Sequence, residues 1–279
     1  MFKFSCADFT FPVLERSAAL RLVKLLGFDH VDIGLFARST HFSPIDLQAA
    51  PHSYTARVLQ DLEDAELHAS DVFVQIGVDP SERAANDPSS AIRANNREAF
   101  SRALEFCVAA RCNHLTGLPG VFHSAIPEET DLELAAEETK WRITECKSAG
   151  VQYAIEPHVG SICADVESTQ AFLRTVEGLM LTLDYGHFVM AGESSARVHN
   201  LLPFASHVHV RGGAPDRLQT SVDENAIDFD GMLAGLKQLG FDGFLALEYV
   251  WVNWKGCNRT DNLSETILLR RALESMISN

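Results

Sequence analysis

Four ionisable residues in the second half of the chain stand where short apolar runs end. They are three carboxylic acids and one histidine: Glu156, Asp184, His209 and Glu248. Each lies at or near the end of a run with the composition of a buried β-strand, as in YAIE, LTLD, HVHV and LALE. Taken singly, such an acid is usually a helix cap or a surface group, and such a histidine is usually a partly buried side chain with satisfied hydrogen bonds.

Taken together, the four side chains have the composition of a divalent-metal site. Three carboxylates that converge repel one another unless a cation lies between them. No lysine or arginine precedes the predicted ligand within these runs. Three oxygen ligands and one nitrogen ligand suit Mn²⁺, Mg²⁺ or Co²⁺, and Zn²⁺ also accepts them. We therefore predict one divalent metal ion held by all four residues.

A shared metal site requires a fold that brings the ends of four consecutive strands together. The chain alternates β-rich runs with helical segments. The predicted strands are 3–5, 30–34, 71–76, 114–117, 152–156, 181–184, 207–211 and 243–248. Eight strands, each followed by a helical segment, predict a parallel sheet that closes into a barrel, with all the C-terminal strand ends at one mouth. No G-x-G-x-x-G turn follows the first strand, which disfavours a doubly wound open sheet.

The connections between the predicted elements indicate one domain with two candidate loops at the mouth. Residues 37–55 and 77–95 form the longest connections, and long connections in barrels often carry function. No linker or shift in composition divides the chain. The expected fold is an α/β (β/α)₈ barrel in which residues 1–279 form a single domain.

The net charge limits the kinds of binding partner, and the cysteine pattern indicates the cellular compartment. The 279 residues carry a net charge of −15, which repels phosphate backbones and anionic bilayers, so we expect neither nucleic acid nor membrane as a partner. No apolar window is long enough to span a bilayer, and the N-terminus has no signal-peptide pattern. The six cysteines are scattered and form no C-x-x-C pair, which favours free thiols in a reducing cytoplasm.

The motifs IEPH, LDYGH, HVHVR and GFDGFLALEYV resemble the sugar isomerase/epimerase superfamily, whose members have a xylose-isomerase-like TIM barrel. Ketose 3-epimerases, hydroxypyruvate isomerases, inosose dehydratases and endonuclease IV belong to it. The likeness is strongest over 150–251 and extends to 27–36. It implies that the same four residues bind the metal and that His187, three residues after Asp184, contacts a small sugar-like substrate. It also implies a homo-oligomer, because barrels of this superfamily are often dimers or tetramers.

Departures from two of these enzymes limit the chemistry that the resemblance implies. Leu118 stands where endonuclease IV has a histidine, and Asn225 stands two residues after Asp223 where another is expected, which disfavours three-zinc DNA repair. Pro157 follows Glu156, where true xylose isomerase has a lysine, which disfavours a two-metal hydride shift. Metal-assisted proton transfer on a polyhydroxy carbonyl compound is the chemistry that remains.

Glu156 and Glu248 are the candidate catalytic residues for such a proton transfer. A chelated ketone acidifies the neighbouring C–H bond and passes through an enediolate. One glutamate would remove the proton and the other would return it, giving epimerisation or aldose–ketose isomerisation. Loss of a β-hydroxyl from the same enediolate would make the enzyme a dehydratase. A barrel that binds a sugar without turning it over is a further alternative, which the presence of two opposed carboxylates disfavours.

Four more residues are candidates for substrate binding: His187, Arg211, Arg217 and His123. His187 could polarise the substrate carbonyl or brace Asp184 through a hydrogen bond. Arg211 could bind an anionic or hydroxyl-rich substrate or form a salt bridge with a nearby carboxylate. Arg217 is a weaker candidate for the same task, and His123 is a candidate for lining the pocket. We assign His158 and His207 structural or supporting roles rather than metal binding.

Overall fold

A computed structural model describes residues 2–38 and 41–278. Eight parallel strands form its centre: β1 (Lys3–Ala7), β2 (His30–Phe36), β3 (His68–Gln75), β4 (His114–Gly117), β5 (Gln152–Ile155), β6 (Met180–Asp184), β7 (Ala205–Val210) and β10 (Phe244–Leu247). Two further strands, β8 (Gly212–Ala214) and β9 (Arg217–Thr220), form an antiparallel hairpin. Each barrel strand pairs with the next along the chain, and β10 closes the barrel between β7 and β1. The predicted TIM barrel is confirmed.

Helices follow most of the strands. They are α1 (Arg16–Leu25), α2 (Pro44–Ala49), α3 (Pro51–Asp64), α4 (Ser90–Ala109), α5 (Glu128–Ser148), α6 (Val166–Thr175), α7 (Tyr185–Met190), α8 (Ser195–Val198), α9 (Phe229–Gln238) and α10 (Asn262–Ser278). α6 begins with a capping box, in which Asp165 and Ser168 each bond the other's backbone N–H. No helix within residues 2–38 and 41–278 is long and apolar enough to cross a membrane.

The two long connections differ from the predicted loops. Residues 37–55 contain α2 and the start of α3, and both helices have proline in their first turn, a favoured position. Residues 39 and 40 of this connection lie outside the described residues. α4 begins within the second connection, 77–95, where Ser89 caps it. Both connections reach the mouth of the barrel, since Arg38, Val78 and Asp79 line its cavity.

The sequence analysis did not predict the β8–β9 hairpin. Its first strand is only three residues long and reads Gly-Gly-Ala, a composition with little β-propensity. The structure shows why glycine stands there, because a Cβ on Gly212 would come within 2.7 Å of the Thr220 carbonyl oxygen. The hairpin therefore forms because glycine lets two backbones approach closely, and not because of a pattern of β-forming side chains.

Polar side chains fill part of the barrel interior. His207 of β7 lies 2.6 Å from Asp32 of β2, and the Thr116 hydroxyl of β4 bonds the Thr182 hydroxyl of β6. These strands are not neighbours in the sheet, so the contacts cross the barrel. Barrel interiors are usually filled by branched apolar side chains. A polar interior is therefore a distinctive feature of this chain.

Candidate active site

The four predicted metal ligands lie at the C-terminal ends of four consecutive barrel strands. Glu156 directly follows β5, Asp184 ends β6, His209 is the penultimate residue of β7, and Glu248 directly follows β10. The parallel register places Asp184 beside His209 and Ala246 on its other side. All four side chains are buried, so their charges interact with little screening from water.

Glu156 is the residue that joins these ligands into a site. The His209 Nδ1 atom lies 2.6 Å from Glu156 Oε1 and 3.5 Å from Glu248 Oε2. Ligand atoms of these three residues lie within 4.8 Å of one another, and so do those of Glu156, Asp184 and His187. The four predicted ligands, together with His187, therefore form two overlapping trios that share Glu156.

Arg211 lies between the two trios. Its guanidinium group hydrogen-bonds the Asp184 carboxylate and lies 3.1 Å from Glu248 Oε2. The side chain is fully buried and the carboxylates keep its pKa above the usual value, against the effect of burial. Of the two roles considered for Arg211, the salt bridge is the one that this structure contains. An internal cation thus offsets part of the negative charge of the site.

The two candidate catalytic glutamates have different electrostatic environments. Burial raises the pKa of Glu248 to about 8, although Arg211 and His209 partly oppose the shift. Burial also acts on Glu156, but the hydrogen bond and charge of His209 outweigh it and hold its pKa below the usual range. Opposite shifts of two neighbouring carboxyl groups are the pattern that separates an acid from a base in one site.

The pKa values of His187 and His209 are also shifted in opposite directions. Burial lowers the pKa of His187 to about 4, so this imidazole is neutral. Its Nδ1 accepts the Val159 N–H at 3.4 Å, while its Nε2 lies 3.4 Å from the Arg211 guanidinium, which can only donate, and 3.6 Å from Asp184 Oδ2. Burial opposes charge on His209, but the neighbouring carboxylates, Glu248 first, raise its pKa well above the usual value.

A cavity of about 350 Å³ opens above these side chains. Its polar wall consists of Glu156, His158, His187, Arg211 and Glu248. Its apolar wall includes Phe9, Phe36, Phe73, Leu118, Val250 and Trp254. A concave site with an apolar wall and a few convergent polar groups is typical of small-molecule binding.

Two predicted substrate residues do not line this cavity. Arg217 begins β9 with a half-exposed side chain that pairs with Glu224 at 2.8 Å. The His123 Nδ1 atom lies 2.6 Å from the buried Asp131 carboxylate. Each side chain is engaged by a local acid, and a pairing of that kind leaves no periodic trace in the sequence.

His158 lines the cavity although the sequence analysis gave it only a supporting role. Its Nδ1 atom lies 3.0 Å from the Val159 carbonyl oxygen, and its buried Nε2 has no hydrogen-bond partner within the described residues. Burial lowers the pKa of His158, so the ring is neutral. The sequence feature that could have predicted this position is that His158 comes two residues after Glu156, close to the C-terminal end of β5 at the mouth of the barrel.

The residues at the mouth fit a divalent cation. Carboxylate oxygens and an imidazole nitrogen are suitable donors for Mn²⁺, Mg²⁺, Co²⁺ and Zn²⁺. The buried Glu248 Oε2 atom lies 3.1 Å from the Arg211 guanidinium but forms no hydrogen bond to any described residue, so a lone pair remains for a cation. Glu156, His209 and Glu248 offer one ligand set whose atoms lie within 4.8 Å of one another, and Asp184 forms a second such set with Glu156 and His187.

Comparisons with known proteins agree with this architecture. A family model described as xylose isomerase-like TIM barrel matches residues 20–273. A search of curated proteins finds no match. An L-ribulose 3-epimerase structure is similar with a TM-score of 0.77 and 15% identity, covering 100% of this chain and 96% of that one.

Two other solved structures represent different reactions on the same fold. The probable 3-DHS dehydratase of petrobactin synthesis from Bacillus anthracis has a TM-score of 0.70 and 15% identity, covering 96% of this chain and 98% of its own. An AP endonuclease of family 2 from Brucella melitensis has a TM-score of 0.75 and 17% identity, with coverages of 97% and 99%. Identities this low show a shared fold alone.

Proposed function

We propose that this chain, which belongs to the xylose isomerase-like TIM barrel family, is a divalent-metal-dependent isomerase or epimerase. Its substrate would be a sugar or related polyhydroxy carbonyl compound, and its reaction a proton transfer next to the carbonyl group. The observation that carries the proposal is the compact, buried trio of Glu156, His209 and Glu248 beneath a cavity. The ketose epimerases among its structural neighbours support the same reaction class.

Glu156, Asp184, His209 and Glu248 would hold the ion. When bound, a divalent cation supplies Lewis acidity that stabilises negative charge on a substrate oxygen. Mn²⁺, Mg²⁺ and Co²⁺ suit three carboxylates and one imidazole better than a soft ion does. The apolar wall excludes water from the reacting carbons and packs against their C–H bonds.

The two glutamates supply the proton transfer. In the proposed reaction Glu156 accepts the proton from the carbon beside the carbonyl group, and Glu248 delivers a proton to the opposite face. Their opposite pKa shifts support this division of roles. Neutral His187 lines the cavity, where it would contact a substrate oxygen. Arg211 would contact a substrate hydroxyl or carboxylate from its position between Asp184 and Glu248.

A dehydratase is the second candidate, because one of the structural neighbours is a probable dehydratase. Removal of the same proton followed by departure of a β-hydroxyl would need no additional carboxylate. We place the reaction in the cytoplasm, in keeping with six free, buried cysteines, and on a small molecule rather than nucleic acid. A homo-oligomer and a single domain over residues 1–279 are part of the same proposal.

Metal analysis combined with isotope exchange tests the proposal. The purified chain is assayed for metal content, then incubated with Mn²⁺ and a panel of ketoses, inososes and 3-keto sugars in D₂O. One equivalent of metal with deuterium entering next to the carbonyl group is the expected result, and product analysis separates epimerase from dehydratase. Metal binding without exchange into any compound would favour a binding role, and a chain that binds no metal would refute the proposal.

A further inference from the structure

Asp32 connects the candidate site to the barrel interior. It lies on β2 and is fully buried. Its Oδ1 atom accepts hydrogen bonds from Ser5 at 2.9 Å and Ser70 at 2.6 Å. Its Oδ2 atom lies 2.6 Å from His207 Nε2 and 3.5 Å from His209 Nε2. Asp32 therefore has three hydrogen-bond partners, and its Oδ2 atom also faces Nε2 of the predicted metal ligand His209, which has no hydrogen bond to any described residue.

This arrangement fits a hydrogen-bonding role for Asp32 better than a second metal site. Asp32, Asp71, His207 and His209 are close enough to surround an ion. Both oxygens of Asp32, however, already face N–H or O–H donors. His207 Nε2 lies 2.6 Å from Asp32 Oδ2, so an ion bound by both atoms would have to displace this hydrogen bond. The cluster is consistent with hydrogen bonds that orient rings.

His209 presents its two nitrogens to different surroundings. Nδ1 faces Glu156 and Glu248, whereas the carboxylate nearest Nε2 is Asp32. The ring is held between Phe73, at 5.7 Å, and the perpendicular ring of His207, at 5.4 Å. An imidazole binds a metal through one nitrogen only when its hydrogen is on the other, and a carboxylate beside that second nitrogen selects this tautomer.

We propose that Asp32 is a positioning residue that keeps the ring hydrogen of His209 on Nε2, so that Nδ1 is free to bind a divalent cation with Glu156 and Glu248. The inference rests on the proposed function, because it takes His209 to be a metal ligand. It extends the site to β2, a strand that carries none of the four predicted ligands. It also explains why an acidic residue is buried at position 32.

Asp32→Asn is the direct test, because the two side chains have nearly the same shape. The asparagine oxygen can still accept from Ser5 and Ser70, which turns the NH₂ group toward the histidines. His209 then gains a donor at Nε2, and its hydrogen moves to Nδ1, where the metal should bind. We expect Mn²⁺ and Co²⁺ to bind about 10–100-fold more weakly, and the visible spectrum of bound Co²⁺ to change.

Ser70→Ala is the matched control. It removes a hydrogen bond from the other oxygen of Asp32 and leaves the charge facing His209 in place. We expect it to lower the melting temperature while leaving the dissociation constant of Mn²⁺ within about three-fold of the wild-type value. An equal loss of metal affinity in both variants would reduce Asp32 to a structural role and overturn the inference.

The outcomes separate this inference from the proposed function. Wild-type affinity in Asp32→Asn would overturn the role of Asp32 and leave the metal enzyme standing, whereas a wild-type chain that takes up no metal would overturn both. If Asp32→Asn does not fold, ¹⁵N NMR of Zn²⁺-loaded wild-type chain decides the matter. The His209 signal, identified with His209→Gln, should show metal on Nδ1 and hydrogen on Nε2, and the reverse would overturn the inference.

Discussion

Two ionic clusters share the interior of this barrel and differ in how their charges are paired. The upper cluster, at the mouth, consists of Glu156, Asp184, His187, His209, Arg211 and Glu248. The lower cluster, further inside, consists of Ser5, Asp32, Ser70, Asp71, His114 and His207. In the lower cluster each acid has its own histidine, with Asp32 at 2.6 Å from His207 and Asp71 at 2.7 Å from His114.

The upper cluster lacks this one-to-one pairing. Three acids share Arg211 and His209. Glu248 Oε2 and Arg211 Nε form no hydrogen bond to any described residue, and neither does Asp71 Oδ2 of the lower cluster, but Asp71 does not line the cavity. Four of the upper cluster's residues line the cavity, and the other two, Asp184 and His209, contact lining residues. The difference teaches that buried charge alone does not identify a reactive site. Incomplete pairing next to a cavity is the more specific sign.

The largest effect that would test this contrast is expected from Arg211→Met. Without its guanidinium group, Asp184 and Glu248 lose their shared cation inside the protein. We expect the free energy of unfolding of the metal-free chain to fall by about 3–5 kcal/mol, since an uncompensated buried charge is strongly unfavourable. Urea denaturation in EDTA measures the loss, and added Mn²⁺ should recover part of it.

Arg217→Met is the control for this prediction. Arg217 pairs with Glu224 on the surface, and exposed pairs contribute at most about 1 kcal/mol. Equal, small losses in both variants would show that the upper cluster does not depend on an internal cation.

Glu248→Gln should have the next largest effect. The amide cannot exchange a proton with substrate, so we expect turnover to fall by at least about 10²-fold, equivalent to about 2.7 kcal/mol in the activation free energy. Deuterium exchange into the best substrate of the panel measures it, with metal content determined in parallel. Near-wild-type turnover at unchanged metal content would remove Glu248 from the reaction, and Glu224→Gln provides the surface control.

A change in the lower cluster should affect stability without affecting metal binding. His114 lies 2.7 Å from Asp71 and 2.8 Å from the Ser206 hydroxyl. We expect His114→Gln to lower the free energy of unfolding by about 1–3 kcal/mol, because a buried carboxylate loses its partner. The Mn²⁺ dissociation constant should stay within about two-fold. A tenfold weaker affinity at unchanged stability would show that the two clusters act as one.

Asp8 shows what happens to a buried acid outside both clusters. Its Oδ1 atom accepts the Gly34 N–H at 2.7 Å, and burial raises its pKa from 3.8 to about 8. The folded chain therefore keeps a proton that the unfolded chain releases, and stability falls as pH rises from about 4 to about 8.

Asp8→Asn should remove this contribution. We expect the stability of the variant relative to wild type to increase with pH across that window, by at most about 1.4 kcal/mol per pH unit. Urea denaturation at a series of pH values measures the difference. Parallel stability curves for the two proteins would mean that the Asp8 carboxyl group is not protonated in the fold.

The sequence was sufficient to predict the barrel because its strands are short, buried and regularly spaced. His114–Gly117 was predicted with the observed bounds, and the other seven strands differ by at most three residues at either end. Convergence of strand ends then predicted the neighbourhood of Glu156, Asp184, His209 and Glu248. Both inferences depend on local pattern and on the geometry that a closed barrel imposes.

The remaining features depend on contacts between distant parts of the chain. The bridge from Arg211 to Asp184 spans 27 residues, and the pair of Asp32 and His207 spans 175. Neither has a spacing that a periodicity could reveal. The pairs of Arg217 with Glu224 and of His123 with Asp131 are local, seven and eight residues apart, but they depend on the conformation of the folded chain and not on a periodicity.

Barrel closure by β10 has a consequence for the order in which the protein is made. β10 is the last strand, it pairs with β1 and β7, and Glu248 directly follows it. While the ribosome is still adding this segment, β1 and β7 are unpaired sheet edges, which tend to associate with other chains. Glu156, Asp184 and His209 are by then already synthesised. A truncated product therefore lacks both the closing strand and Glu248, so that pairing of the sheet edges and completion of the predicted metal-ligand set occur in the same step.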